Sequence, residues 1–117
     1  CRRPQLGSPL YDAGVKFAFA TFGAQFARNL PYEASQSANF GLPKDVALKS
    51  VTINAAEIFG VASMILSIEQ GKLADLIITD GDPLEIRTQV KMMFIEGRPV
   101  DLESKHTRLY QKYLNRP

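Results

Sequence analysis

The chain has 117 residues, 45% of them hydrophobic and 22% charged, with 14 basic and 12 acidic side chains giving a net charge of +2. This is the composition of a globular chain of one domain's length, which excludes wholesale disorder, and so small a charge excess gives no pull toward nucleic acid or an anionic membrane surface. One Cys and one His exclude an internal disulfide framework and a zinc site built from several such ligands in this chain, and no apolar run approaches the ~18 residues of a membrane span.

The chain opens on Cys1 rather than Met, which points to a missing N-terminus. Pro4, Gly7, Ser8 and Pro9 punctuate a loop, and a helix ending near residues 11–13 and stopped by Gly14 also fits. Val15 to Thr21 is short, apolar and aromatic between Gly14 and Gly23, the pattern of a buried strand. Phe26, Leu30, Ala34 and Ala38 recur four apart and predict a helix over residues 24–40 that restarts at Pro31, with Asn29 near the cap and Gly41 as the stop. Pro43-Lys44-Asp45 opens a further helix with Val46, Ala47, Leu48 and Val51 on its apolar face. Asn54 is placed to cap residues 55–59, and Gly60 ends them.

From Val61 the pattern changes. Ser67 to Lys72 predicts a short strand entering a turn, and Ala74 to Thr79 a clear strand. Asp80-Gly81-Asp82-Pro83 is a turn, Val90 to Ile95 another strand, and Glu96-Gly97 a tight turn into Arg98-Pro99-Val100. The polar tail, residues 102–113, predicts a helix. The expected class is α/β, with helices following a strand in the first part and antiparallel strands in the second. Two patterns in so short a chain suggest a junction between two incomplete domains.

Four stretches, in this order and spacing, resemble one family. They are Gly14-Val15-Lys16-Phe17-Ala18-Phe19-Ala20-Thr21; Gly41 to Val61, with Ala47-Leu48, Thr52, Asn54, Ala56 and Gly60; Ser67 to Leu84, with Glu69, Gly71-Lys72 and Ala74-Asp75-Leu76; and Val90 to Val100 around Ile95-Glu96-Gly97-Arg98. Together they resemble the C-terminal portion of the amidohydrolase superfamily, in its imidazolonepropionase-like and dipeptidase-like branch. The resemblance implies a metal-dependent-hydrolase (β/α)8 barrel, with residues 15–21 as its last strand, followed by the C-terminal part of a small β-sandwich. Residues 1–60 would then end the barrel, 61–102 would belong to the sandwich, and 103–117 would form a polar tail. The missing N-terminal part of the same protein would supply the other barrel strands and the rest of the sandwich.

The resemblance also implies hydrolysis of amide or cyclic-amide C–N bonds, dipeptides included, with one or two divalent metals in the full-length parent, zinc first. Such a metal lowers the pKa of a bound water, and an Asp after the last strand helps to take the proton. This chain has no His-x-His pair, and its single histidine, His106, lies in the tail. Phe22 stands where the last-strand Asp is expected, and no carboxylate lies between Asp12 and Glu33. No catalytic residue, metal ligand or cofactor is therefore expected in this chain alone, which should be inactive by itself.

Substrate contacts are expected on the loop after a barrel strand. Arg28, Asn29 and Tyr32 could hold a substrate carboxylate or carbonyl there, with Thr21 at the strand end. Otherwise Asn29 caps a helix, Arg28 is solvated and Tyr32 packs. Asp80, Asp82 and Glu85 form a loose acidic loop that reads as a turn rather than a calcium site, and Lys72 and Asp75 read as turn chemistry. Lys105, Arg108 and Lys112 form a solvated basic face, with no nucleic acid or membrane expected as partner. The apolar strands around Ile77, Ile78, Met92, Met93 and Phe94 predict pairing with another chain, a homo-oligomer if the chain stands alone. A non-catalytic binding or assembly module that reuses the sandwich is the rival reading.

Overall fold

The computed structural model describes residues 7–114 and 116. In chain order it contains α1 (Gly7–Asp12), a 3-10 turn (Ala24–Asn29), α2 (Leu30–Asn39), α3 (Lys44–Ser50), α4 (Ile53–Ile58), β1 (Leu76–Thr79), β2 (Val90–Ile95), β3 (Arg98–Pro99) and α5 (Lys105–Leu114). The expected α/β class holds: a helical layer comes first and an antiparallel three-stranded sheet, in the order β1-β2-β3, comes second.

Glycines end the helices where the sequence places them. At the end of α2, Gly41 has φ 101, in the left-handed region that suits a residue without Cβ. Its N–H bonds the Ala38 carbonyl at 3.2 Å, and the Leu42 N–H bonds the Ser37 carbonyl at 3.1 Å. This pair of bonds satisfies two carbonyls that the helix leaves over and turns Leu42 into the core. The same pattern at Gly60 and Val61 closes α4. Pro31 sits in the first turn of α2, where no N–H is missed. Asn29 holds the cap position, but its side chain makes no capping bond.

The buried centre of the helical layer is small. Ala34, Leu42, Ala47 and Leu84 form it, with Phe17, Phe19, Ala38, Val46 and Val51 packed around. Alanines at 34 and 47 let α2 and α3 approach closely, so little side-chain volume closes the layer. Leu84 comes from the sheet region of the chain. It lies in the loop between β1 and β2 and is 4% exposed. The Asp82 Oδ1 accepts the Leu84 N–H at 2.9 Å, shaping the turn that delivers it.

Residues 15–21, expected as a buried strand, form no strand: among the described residues no second strand lies beside them, Phe17, Ala18, Phe19 and Thr21 are only partly buried, and Val15, Lys16 and Ala20 are exposed. Helices hold them instead. The Phe19 N–H bonds the Ser50 carbonyl at 3.1 Å, and the Asn54 Nδ2 donates to the Phe17 carbonyl at 3.2 Å. Lys16 pairs with Glu57 at 2.7 Å. Phe17 and Phe19, two residues apart, share the helix-facing side, edge to face with centroids 5.6 Å apart. Asn54 is thus an interior residue of α4 rather than its cap: the helix begins at Ile53, and the amide is engaged across to residue 17.

Residues 67–72 are not a strand. They form bends and a turn around Lys72, whose ammonium is largely buried and donates to the Ala62 carbonyl at 2.6 Å and to Ser67 Oγ. The apolar pattern at Leu66 and Ile68 suggests a ladder, but here the backbone folds around a lysine instead. β1 pairs with β2 from Leu76↔Phe94 to Thr79↔Val90, with an irregularity after Ile78. The β2–β3 hairpin turns through Glu96 (φ 50) and Gly97 (φ 76). Two successive positive φ values define the type I′ turn that matches strand twist. Asp75 Oδ1 accepts the Glu96 N–H at 2.7 Å, and the Ala74 carbonyl accepts the Gly97 N–H at 3.1 Å. The Ala-Asp of the third family stretch therefore staples the turn of the fourth.

The sheet exposes much of both faces; Ile77, Ile78, Met92 and Ile95 are each about half exposed. Among the described residues no helix is long and apolar enough to cross a membrane. The radius of gyration is 16.5 Å, against roughly 13 Å for a compact 100-residue domain, so the shape is elongated.

Candidate functional site

The loop after the extended segment begins with a tight bend. Thr21 Oγ1 donates to the Gly23 carbonyl at 3.4 Å, and the Phe26 N–H bonds the same carbonyl at 3.0 Å. Between them Phe22 takes φ 51 with its side chain fully exposed. The 3-10 turn then leads into α2 and carries Arg28, Asn29 and Tyr32.

The four expected contact residues do not converge. Arg28 and Tyr32 line one cavity of about 380 Å³ between the helical layer and the sheet. Its other walls include Leu48, Val51, Ile77 and Val90, and it is mainly apolar. Thr21 is engaged in the bend, and neither it nor Asn29 belongs to the lining. Arg28 and Asn29 end the 3-10 turn and Tyr32 lies in the first turn of α2, and of these three only Asn29 stays out of the lining. Glu85 also lines the cavity, and Lys44 answers its charge at 3.1 Å. That carboxylate, more than any other group, holds the Lys44 ammonium above its ordinary pKa, with Asp82 adding to the effect.

Each acidic residue of the 80–85 loop has a protein partner. Asp80 accepts the Gln89 N–H at 2.8 Å and pairs with Lys91 at 2.9 Å, and these contacts, the Gln89 bond first, hold its carboxyl below the ordinary value. Asp82 and Glu85 meet Lys44. The arrangement is turn chemistry, as the sequence suggests. Glu69 is likewise held low, first by the Ser67 hydroxyl and then by Lys72.

The resemblance implies a divalent metal. Among the described residues no group of three His, Cys, Asp or Glu side chains lies close enough together to hold an ion. Phe22, at the end of the extended segment, has no donor atom. The described residues do not fit a metal site.

Two positions matter more than the sequence suggests. Asn54 joins α4 to the extended segment, and its only signal was a polar residue interrupting an apolar helix face. Leu84 joins the sheet loop to the helical core, and its signal was a lone apolar residue after Asp-Pro in a turn.

Comparison with known proteins places the whole arrangement. Amidohydrolase tasK of Hapsidospora irregularis is 31% identical over 111 residues, covering 90% of this chain and 11% of that protein. The imidazolonepropionase of Sphingopyxis alaskensis is 50% identical over 48 residues, 40% of this chain and 12% of that protein. Among solved structures, an amidohydrolase from Thermotoga maritima superposes with a TM-score of 0.79 at 28% identity, covering 84% of this chain and 26% of its own. The chain thus spans about a tenth of the length of these two relatives. The sequence profile of the amidohydrolase family matches residues 8–101, well over half of the chain. The chain belongs to the amidohydrolase family.

Proposed function

We propose that these residues are the C-terminal part of an amidohydrolase-like, metal-dependent hydrolase acting on amide or cyclic-amide C–N bonds, dipeptide bonds among them, and inactive on their own. The carrying observation is the one-sided packing of residues 15–21. Phe17 and Phe19 pack against the helices, while among the described residues the backbone on both edges lacks a strand neighbour. A barrel stave has this character, with helices behind it and further strands to either side. On this reading residues 1–60 close the barrel, 61–102 belong to the sandwich and 103–117 are a tail. A divalent metal, zinc first, and its ligands belong to strands upstream. The same upstream polypeptide covers the exposed faces of the sheet. Arg28 and Tyr32 border the cavity between the helical layer and the sheet and are offered as carboxylate or carbonyl contacts; Thr21 and Asn29 are weaker.

The test assays this chain, and the polypeptide that joins it to the upstream barrel sequence, for zinc-dependent hydrolysis of dipeptides and cyclic amides. Turnover only by the longer polypeptide is expected; robust turnover by the 117 residues alone overturns the reading.

A second reading is favoured by the sheet, which leaves apolar side chains on both faces half exposed. It makes the chain a non-catalytic module that assembles with copies of itself. Light scattering separates the two: a concentration-independent monomer counts against the module.

A further inference from the structure

We infer that residues 15–21 take a strand of the upstream polypeptide on one edge, at Lys16, Ala18 and Ala20, and that the chain's own helices close the other edge to strand pairing as far as Phe19. The inference rests on the reading of residues 15–21 as a barrel stave and names the side from which its neighbour arrives.

In an extended segment the N–H and C=O of one residue point to the same edge, and those of the next residue to the other. Phe17 and Phe19 share the helix-facing side, which fixes that two-residue period here. Val15, Phe17 and Phe19 therefore present their backbone groups along one edge, and each of the three is already engaged. The Val15 N–H bonds the Leu10 carbonyl at 2.9 Å, as part of the cap that Gly14 (φ 70) puts on α1. The Phe17 carbonyl accepts Asn54 Nδ2 at 3.2 Å. The Phe19 N–H bonds the Ser50 carbonyl at 3.1 Å. In a parallel ladder one residue of the neighbouring strand would serve both the Phe17 carbonyl and the Phe19 N–H. Asn54 and Ser50 stand in that residue's place, one as donor and one as acceptor.

These bonds are formed within the chain, and a strand arriving on this side would have to displace them. Ser50 is fully buried and ends α3, so its carbonyl has no intrahelical N–H and would be left without a partner away from water. Lys16, Ala18 and Ala20, by contrast, make no backbone–backbone bond among the described residues. A neighbouring stave pairs fully on their edge and, on the Phe17 side, only beyond Phe19. Ala18 and Ala20 are small and lie on the face opposite Phe17 and Phe19, so the arriving strand brings the bulky apolar side chains that fill a barrel interior.

The experiment is the crystal structure of the polypeptide in which these residues follow the upstream barrel sequence, with amide exchange read residue by residue in wild type and Asn54→Leu. The structure is expected to show a parallel strand bonded to the Ala18 N–H and C=O, with Asn54 and Ser50 still on Phe17 and Phe19. In Asn54→Leu the Phe19 amide should exchange about tenfold faster, the scale of one lost hydrogen bond, while Ala18 and Ala20 keep their protection within about twofold. A strand residue bonded to the Phe17 carbonyl or the Phe19 N–H overturns the inference and leaves the stave reading intact, as does an equal loss of protection on both edges. No strand on either edge removes both. Should the variant fail to fold, the wild-type structure decides alone.

Discussion

The helical layer and the sheet solve the problem of cohesion differently. In the helical layer, small residues do the packing: Ala34 and Ala47 are fully buried, Ser50 is buried with its hydroxyl donated to the Ala47 carbonyl at 2.6 Å, and glycine caps close two of the helices. In the sheet, turn chemistry does it. Asp75 staples the hairpin, and Asp80 ties the ends of the long loop between β1 and β2. The apolar side chains of the sheet remain half exposed on both faces. The helices close around an interior of their own, whereas the sheet has its turns shaped by side chains and little interior of its own.

The comparison is broken most directly at Leu84, a sheet-side residue in the helical core. Leu84→Ala is expected to cost roughly 2–5 kcal/mol, the range for emptying a buried leucine site. Urea unfolding followed by circular dichroism should show helix and sheet signals lost at a lower midpoint. An unchanged midpoint would mean the two regions are independent.

Lys72→Met keeps the stem of the side chain and removes its donors. Leaving the Ala62 carbonyl and Ser67 without their partner should cost about 1–3 kcal/mol. Limited proteolysis should then cut within residues 62–71, and protection equal to wild type would assign that loop's order to packing alone.

Asp75→Ala removes the acceptor of the Glu96 N–H, a bond worth about 1 kcal/mol or somewhat more at an exposed site. Amide exchange should quicken at Glu96 and Gly97 while the helical layer is untouched. Equal loss of protection in both regions would contradict the division.

Acid distinguishes them more gently. Asp80 is held below its ordinary 3.8 in the folded chain. Its contribution is fully present above pH 3.8 and disappears as pH falls through the lower folded value. The sheet should loosen there first, and Asp80→Asn should flatten that part of the profile, as read by NMR shifts of Gln89.

The smallest effect belongs to surface pairs. Lys49→Ala, which removes the pair with Asp45 at 3.3 Å, should change stability by less than about 1 kcal/mol. A larger loss in thermal melts would reveal a role for Lys49 beyond that pair.

Much of this was legible in the residues. Gly41 and Gly60 announced helix ends, Glu96-Gly97 announced a hairpin, and the order of the four stretches carried the family. The failures have one cause: side chains reaching across the chain. A sequence window sees Lys72 as part of a polar turn after a strand-like run, and cannot show that its ammonium becomes the centre around which residues 62–67 fold. It sees Asn54 as a cap because Asn favours caps, while the partner that engages it is 37 residues away.

Leu84 also bears on motion. It is carried on the sheet's longest loop but lodged among the helices, like a peg through two boards. The sheet cannot swing a few degrees without drawing that peg from its hole. Displacement between the regions should therefore be abrupt, held and then let go, rather than a gradual flexing.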